Sequence, residues 1–153
     1  LHKRVGEIRA HQAARQIRES RLDSGFIAPP LQLNDPAGQI TTLSSFRGKT
    51  VLLHFWASWS PECTPALATY KSLFQKYGSK GFSVFSISLD KDRQRWEQSL
   101  REHRMNWPQA SDLMEWKSPV VDEYNLARLP SVFLIAPDGR ILMANPTMVR
   151  ILG

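Results

Sequence analysis

Cys63 is the only cysteine of the chain, and it closes the run Trp59-Ser60-Pro61-Glu62-Cys63. A thiol attacks or binds metal through its thiolate, so the chemistry available here depends on what lowers its pKa. Pro61 suits the first position of a helix and Ser60 the N-cap. There its hydroxyl would accept from the Cys63 N–H, a bond worth about 1 kcal/mol. Pro65 leaves a second start open. With Thr64 as N-cap and Pro65 as the first helical residue, Cys63 falls in a loop just before the helix. Either start puts the sulfur near a positive helix end, which favours the thiolate. A single cysteine allows no disulfide within the chain and no cysteine-based zinc site. His54, inside an apolar run, is a candidate general base, against the plainer reading of a hydrogen-bonded core residue. His2, His11 and His103 have no metal-ligand spacing with it, so no metal and no cofactor are expected.

Such residues need a scaffold, and 153 residues suffice for one domain with its own core. A content of 42% hydrophobic and 22% charged residues is that of a globular protein and excludes a disordered one. The longest apolar runs, 51–57 and 132–136, fall far short of the roughly 18–20 residues of a membrane span. The net charge is +6, and much of it lies early: Lys3, Arg4, Arg9, Arg15, Arg18 and Arg21 face only Glu7, Glu19 and Asp23. This arm has no interleaved aromatics to stack on bases, and its apolar face is too thin for firm membrane docking. It reads as a solvated basic helix over 3–22, with no nucleic-acid partner. The chain starts at Leu1 and not at Met, so a processed or excised piece is expected, with any upstream domain or membrane anchor lying outside it.

Further on, Pro29-Pro30 keeps the backbone extended. Residues 31–33 and 39–43 flank the turn residues Asn34-Asp35-Pro36-Ala37-Gly38 as a short hairpin. Residues 50–57 are apolar enough for a strand buried on both faces. From 61 to 77 the spacing turns helical, with Leu67, Tyr70, Phe74 and Tyr77 on one side. Residues 82–89 form the next strand, Asp90 or Asp92 caps a helix reaching 103, and Ser118-Pro119 opens a short helix. Pro130 leads a strand over 131–136, Pro137-Asp138-Gly139 turns, and 140–143 is the last strand. This order predicts an α/β layered domain over 25–145, preceded by a basic helical extension over 1–24 and followed by a tail over 146–153.

Taken together, several pieces resemble the thioredoxin-fold thiol–disulfide oxidoreductases of the TlpA/ResA type, in the AhpC/TSA-related superfamily. They are Gly25-x-x-Ala28-Pro29, the turn at 35–38, Gly48-Lys49, Phe55-Trp56-Ala57-Ser58-Trp59, Leu129-Pro130 and Asp138-Gly139. The resemblance implies a thioredoxin-like fold with a central mixed sheet flanked by helices. It implies an extracytoplasmic location, periplasmic or cell-envelope, and protein or peptide thiols and disulfides as partners. It also implies a site. Ser60 and Cys63 stand at the two cysteine positions of the family's Trp-Cys-x-x-Cys motif, and Trp59, Pro61, Glu62, Leu129 and Pro130 border a substrate groove. In the family the second cysteine is buried, which opposes the helix end. His54 falls where an acid often assists that cysteine. Pro130 matches a loop proline that lies opposite the motif after a cis bond and leaves the preceding backbone free to pair with an extended substrate. Trp56 and Trp59 border the motif, whereas Trp96, Trp107 and Trp116 read as packing.

Two positions depart from the family pattern. Ser60 replaces the attacking cysteine, and Ala66 stands where a glutamate is frequent. A serine hydroxyl has no comparable ionised form and makes no disulfide, so this chain is not expected to cycle as a dithiol reductase. Three functions follow. The first is an oxidoreductase of this type without its first sulfur, and the second a redox-inactive module that keeps the peptide groove. The third is a one-cysteine peroxidase, because Ser60-x-x-Cys63 is also similar to the Thr/Ser-x-x-Cys of peroxiredoxins. Trp56 and Pro130, in place of that family's proline and arginine, count against the third.

Overall fold

The computed structural model describes residues 22–146, so the basic helix expected over 3–22 and the tail from 146 fall almost wholly outside it. Seven strands build one mixed sheet in the order β2-β1-β5-β4-β3-β6-β7. They are β1 (Gln32–Asn34), β2 (Ile40–Thr42), β3 (Thr50–Trp56), β4 (Phe82–Ser88), β5 (Gln109–Ser111), β6 (Ser131–Ile135) and β7 (Ile141–Ala144). β3 and β4 run parallel at the centre, where every residue after the first of each strand is buried. That position explains their nearly unbroken apolar character. β5 is parallel to β4, β6 antiparallel to β3, and the hairpins close both edges. At the last turn Gly139 has a φ of 92°, and Arg140 N–H is held by Asp138 Oδ1 at 3.0 Å.

Sequence reasoning did not anticipate β5. Its three residues, Gln-Ala-Ser, carry no apolar period. They become a strand through pairing, Gln109 beside Ser86 and Ser111 beside both Ser88 and Asn34.

Among the described residues, three α-helices flank the sheet: α1 (Leu67–Tyr77), α2 (Arg93–Glu102) and α3 (Pro119–Glu123). Asp92, and not Asp90, caps α2, its Oδ1 accepting from the Gln94 and Arg95 N–H groups. Ser118 caps α3 as its Ser-Pro signature predicts. The helix expected over 61–77 is split. Pro61–Cys63 is a single 3₁₀ turn, and α1 starts only at Leu67, because Pro65 offers no N–H to carry a continuous ladder.

The two faces of the sheet bury different chemistry. On one, Phe55, Phe133 and Tyr124 form an aromatic cluster with centroids 5.0–6.1 Å apart, joined to Pro29 by the Tyr124 hydroxyl. A fully buried Leu or Phe there contributes roughly 1.5–3 kcal/mol. On the other, α1 lays Tyr70 edge-on to His54 at 4.9 Å. His54 is completely buried. Trp107 Nε1–H donates to Ser86 Oγ at 2.7 Å, and that oxygen lies 2.8 Å from His54 Nδ1. This hydrogen-bonded chain closes when Nδ1 accepts from the Ser86 hydroxyl, which leaves the imidazole neutral with its proton on Nε2, a buried N–H with no hydrogen-bond partner among the described residues.

Burial lowers the His54 pKa from 6.5 to about 3. The unfolded chain therefore binds a proton between these values that the folded one does not, so this group's contribution to stability is intact above pH 6.5 and is lost as pH falls toward 3. Urea unfolding between pH 7 and pH 5 is expected to show a loss of roughly 1.4 kcal/mol per pH unit below 6.5, and His54→Gln is expected to flatten it. An unchanged slope in the variant would assign the acid sensitivity elsewhere.

Candidate functional site

Parallel β3, β4 and β5 bring three loops to one end of the sheet, the usual place for chemistry in α/β folds. The loop after β3 carries the Trp59–Cys63 run, the loop after β4 carries Asp90, and the loop after β5 runs through Trp116. Antiparallel β6 adds a fourth segment. Pairing of Phe55 with Ser131 sets Leu129-Pro130, a cis peptide, beside the end of β3.

Within the motif run, side chains alternate between solvent and core. Trp59, Pro61 and Glu62 are exposed, whereas Ser60 and Cys63 are buried, the sulfur-bearing residue to 1% exposure. Ser60 does not cap a helix with its hydroxyl. Its backbone carbonyl accepts from Cys63 N–H at 3.1 Å, and its Oγ donates to Glu62 Oε2 at 2.9 Å. The reason is geometric: a 3₁₀ turn closes with backbone bonds alone, which frees the side chain for its exposed neighbour.

Of the two opposed effects expected on the Cys63 thiol, burial prevails over the helix end. Burial pushes the Cys63 pKa up, with smaller upward contributions from the Glu62 and Asp90 carboxylates. Hydrogen bonds from Ser60 and the Ala57 backbone act the other way and are outweighed. Ser60 has one hydroxyl proton, and while Glu62 holds it the sulfur does not. The split helix removes the remaining help, since α1 begins four residues after Cys63.

Asp90 is the residue that sequence reasoning missed, having been weighed only as a helix cap. Its carboxylate is buried to 2% exposure and fully engaged. Ser58 N–H donates to both oxygens at 3.2 Å, and the Ser58 and Ser88 hydroxyls donate as well. This set ties the loop after β3 to the loop after β4. Trp59 Nε1–H donates to Leu89 O at 3.0 Å and completes the tie. The signal was present in the spacing, since Ser88-x-Asp90 ends one parallel strand opposite Ser58 at the end of its neighbour.

Residues 25–144 match the AhpC/TSA family. The chain belongs to that family. It is 26% identical over 125 residues to the thiol-disulfide oxidoreductase ResA of Bacillus thuringiensis subsp. konkukian, covering 82% of this chain and 70% of the relative. Among solved structures, the C-terminal domain of a proposed thiol-disulfide oxidoreductase from Bacteroides thetaiotaomicron superposes with a TM-score of 0.81 at 29% identity, covering 86% of this chain and 93% of that one. The thioredoxin domain of a thiol-disulfide oxidoreductase from Bacteroides vulgatus gives 0.77 at 25% identity, with coverage of 82% and 89%. The fold is thioredoxin-like, and the chain is thiol–disulfide oxidoreductase-like in fold and sequence.

Leu129 is buried and Pro130 half-buried, at the same sheet end as Ser60. His54 lies deeper, behind Tyr70 and bonded to Ser86, and the groups acting on the Cys63 thiol are Ser60, Ala57, Glu62 and Asp90. Trp56, expected beside the motif, is core at 1% exposure. Trp116, read from sequence as packing, is 42% exposed with its ring 6.3 Å from that of Trp59. Among the described residues no helix is long and apolar enough to cross a membrane.

Burial and a raised pKa make one outcome measurable at once. Alkylation of Cys63 by iodoacetamide at pH 8 is expected to run roughly tenfold or more slower in the native protein than in urea. Equal rates would mean an exposed thiol.

Proposed function

We infer that this member of the AhpC/TSA family keeps the polypeptide-binding frame of a thiol–disulfide oxidoreductase and does not carry out dithiol exchange. One observation carries the reading: the outer motif position holds a serine, while the only thiol is buried at 1% exposure. Exchange needs an accessible thiolate to form a mixed disulfide and a second thiol to resolve it. Ser60 supplies neither role, and Cys63 stays a shielded, protonated thiol.

Binding needs less. Trp59, Pro61 and Glu62 present an exposed edge beside Ser60, and Leu129, at the same end of the sheet through the pairing of β6 with β3, would border it. An extended segment of a protein thiol or disulfide partner would lie there and bond backbone to backbone, by strand addition. Ser60 and Cys63 are the positions at which chemistry would occur if a second sulfur were supplied. An extracytoplasmic setting, where disulfides persist, is the compartment this reading fits. The buried, protonated sulfur gives the peroxidase alternative no support, because a peroxidatic cysteine acts as an accessible thiolate.

Insulin reduction with dithiothreitol as electron source tests the reading. The protein as it stands is expected to give no rate above the uncatalysed background, and Ser60→Cys a clear one. A native rate comparable to that of Ser60→Cys would contradict it.

A further inference from the structure

Beside the motif lies an exposed apolar surface that shares only Trp59 with it. Trp59, Met114 and Trp116 are 44%, 47% and 42% exposed, and the two indole rings meet at 6.3 Å and 53°. Met114 and Trp116 line an open cavity of about 350 Å³ whose walls include Leu113, Lys91 and Lys117, and Trp59 adjoins it through Trp116. Exposed aromatics gathered at a concavity mark an interaction site more often than a solvated surface, since covering them gains free energy.

The loop that presents Trp116 is tied to the sheet by local hydrogen bonds. Leu113 and Glu115 both take left-handed backbone conformations, with φ of 57° and 50°, which is unfavourable for a leucine and a glutamate. Hydrogen bonds hold them there. Ser111 Oγ accepts from Leu113 N–H at 3.0 Å and donates to Ser88 O at 2.9 Å, which anchors the loop to the sheet. Asp112 accepts from Met114 N–H at 3.1 Å and from the Ser118 hydroxyl. Strain maintained by this many local bonds, with the large side chain turned outward, is the pattern of a presented side chain.

Charge selects the occupant. Lys91 and Lys117 are exposed on the cavity's flanks, and neither is in an ion pair among the described residues. Glu115, half-buried, is the one carboxylate residue among the walls, so the site is net positive. A partner segment with a large apolar side chain beside carboxylates is complementary on both counts.

We propose that Trp59, Met114 and Trp116, flanked by Lys91 and Lys117, form a docking subsite for an acidic, aromatic-containing extended segment of a partner protein. This rests on the binding reading above and extends it, because it names what the partner carries next to the segment lying along Leu129. The aromatic side chain enters between Met114 and Trp116, and its neighbouring carboxylates meet the two ammonium groups.

The test is binding of a fluorescein-labelled peptide, Gly-Asp-Phe-Leu-Asp-Gly, read by anisotropy. Trp116→Ala, which removes an exposed ring, is expected to weaken binding by about tenfold or more with an unchanged melting temperature. The double charge reversal Lys91→Glu with Lys117→Glu is expected to do the same, and to prefer the peptide with Lys in place of Asp. Equal affinity of the native protein for the acidic and basic peptides, or of Trp116→Ala and the native protein for the acidic one, would overturn the proposal. So would a concentration-dependent dimer in ultracentrifugation that Trp116→Ala dissolves, since a second copy would then be the occupant. Insulin reduction by Ser60→Cys is scored separately. An inactive Ser60→Cys with intact, Trp116-dependent peptide binding would end the exchange-frame reading and leave the docking subsite standing.

Discussion

Asp90 lies at the end of β4 with 2% of its surface exposed, and a carboxylate so placed persists only if donors saturate its oxygens. Ser58 gives an N–H and a hydroxyl, and Ser88 gives a second hydroxyl. Because Ser58 follows β3 and Ser88 ends β4, satisfying that one group locks the ends of the two central strands in register. The next residues inherit the constraint. Trp59 is turned outward with its indole bonded to Leu89, Ser60 is turned in, and the 3₁₀ turn that follows places Cys63 beneath them. Leaving these buried donors unpaired would cost about 1–3 kcal/mol and loosen the loop that carries the site.

The same carboxylate also bears on the chemistry. It lies close enough to raise the Cys63 pKa, as does Glu62, and both reinforce the larger effect of burial. A reactive thiol in a redox site is exposed and near positive charge. Cys63 has the opposite surroundings. On the proposed function, the outer edge serves shape and backbone recognition and the thiol inside stays inert. This is consistent with an AhpC/TSA family member that is like the oxidoreductases in frame and carries Ser60 and a single buried cysteine in its Trp59–Cys63 run.

Much of this was legible in the sequence where a local rule operates alone. The apolar runs of β3 and β4, the Ser118-Pro119 cap and the Asp138-Gly139 turn each follow from a short-range preference. What was not legible depended on distant partners. β5 exists because β4 and β1 pair with it, not because Gln-Ala-Ser prefers a strand. Ser60 prefers Glu62 to a capping bond because Pro65 confines the first turn to 3₁₀ geometry. Asp90 became a site residue only when Ser58 and Ser88 met it. Trp116 became a surface residue only when two left-handed residues turned its loop outward.

The protonation state of Cys63 is the central quantity, because an inert thiol separates a binding frame from an exchange enzyme. It is read directly by the ¹³Cβ chemical shift of Cys63 in labelled, native protein across a pH titration. A shift that stays at the thiol value through the ordinary thiol range, near pH 8.5, is the expected result. A midpoint at or below neutral pH would mean an activated thiolate and would contradict the account.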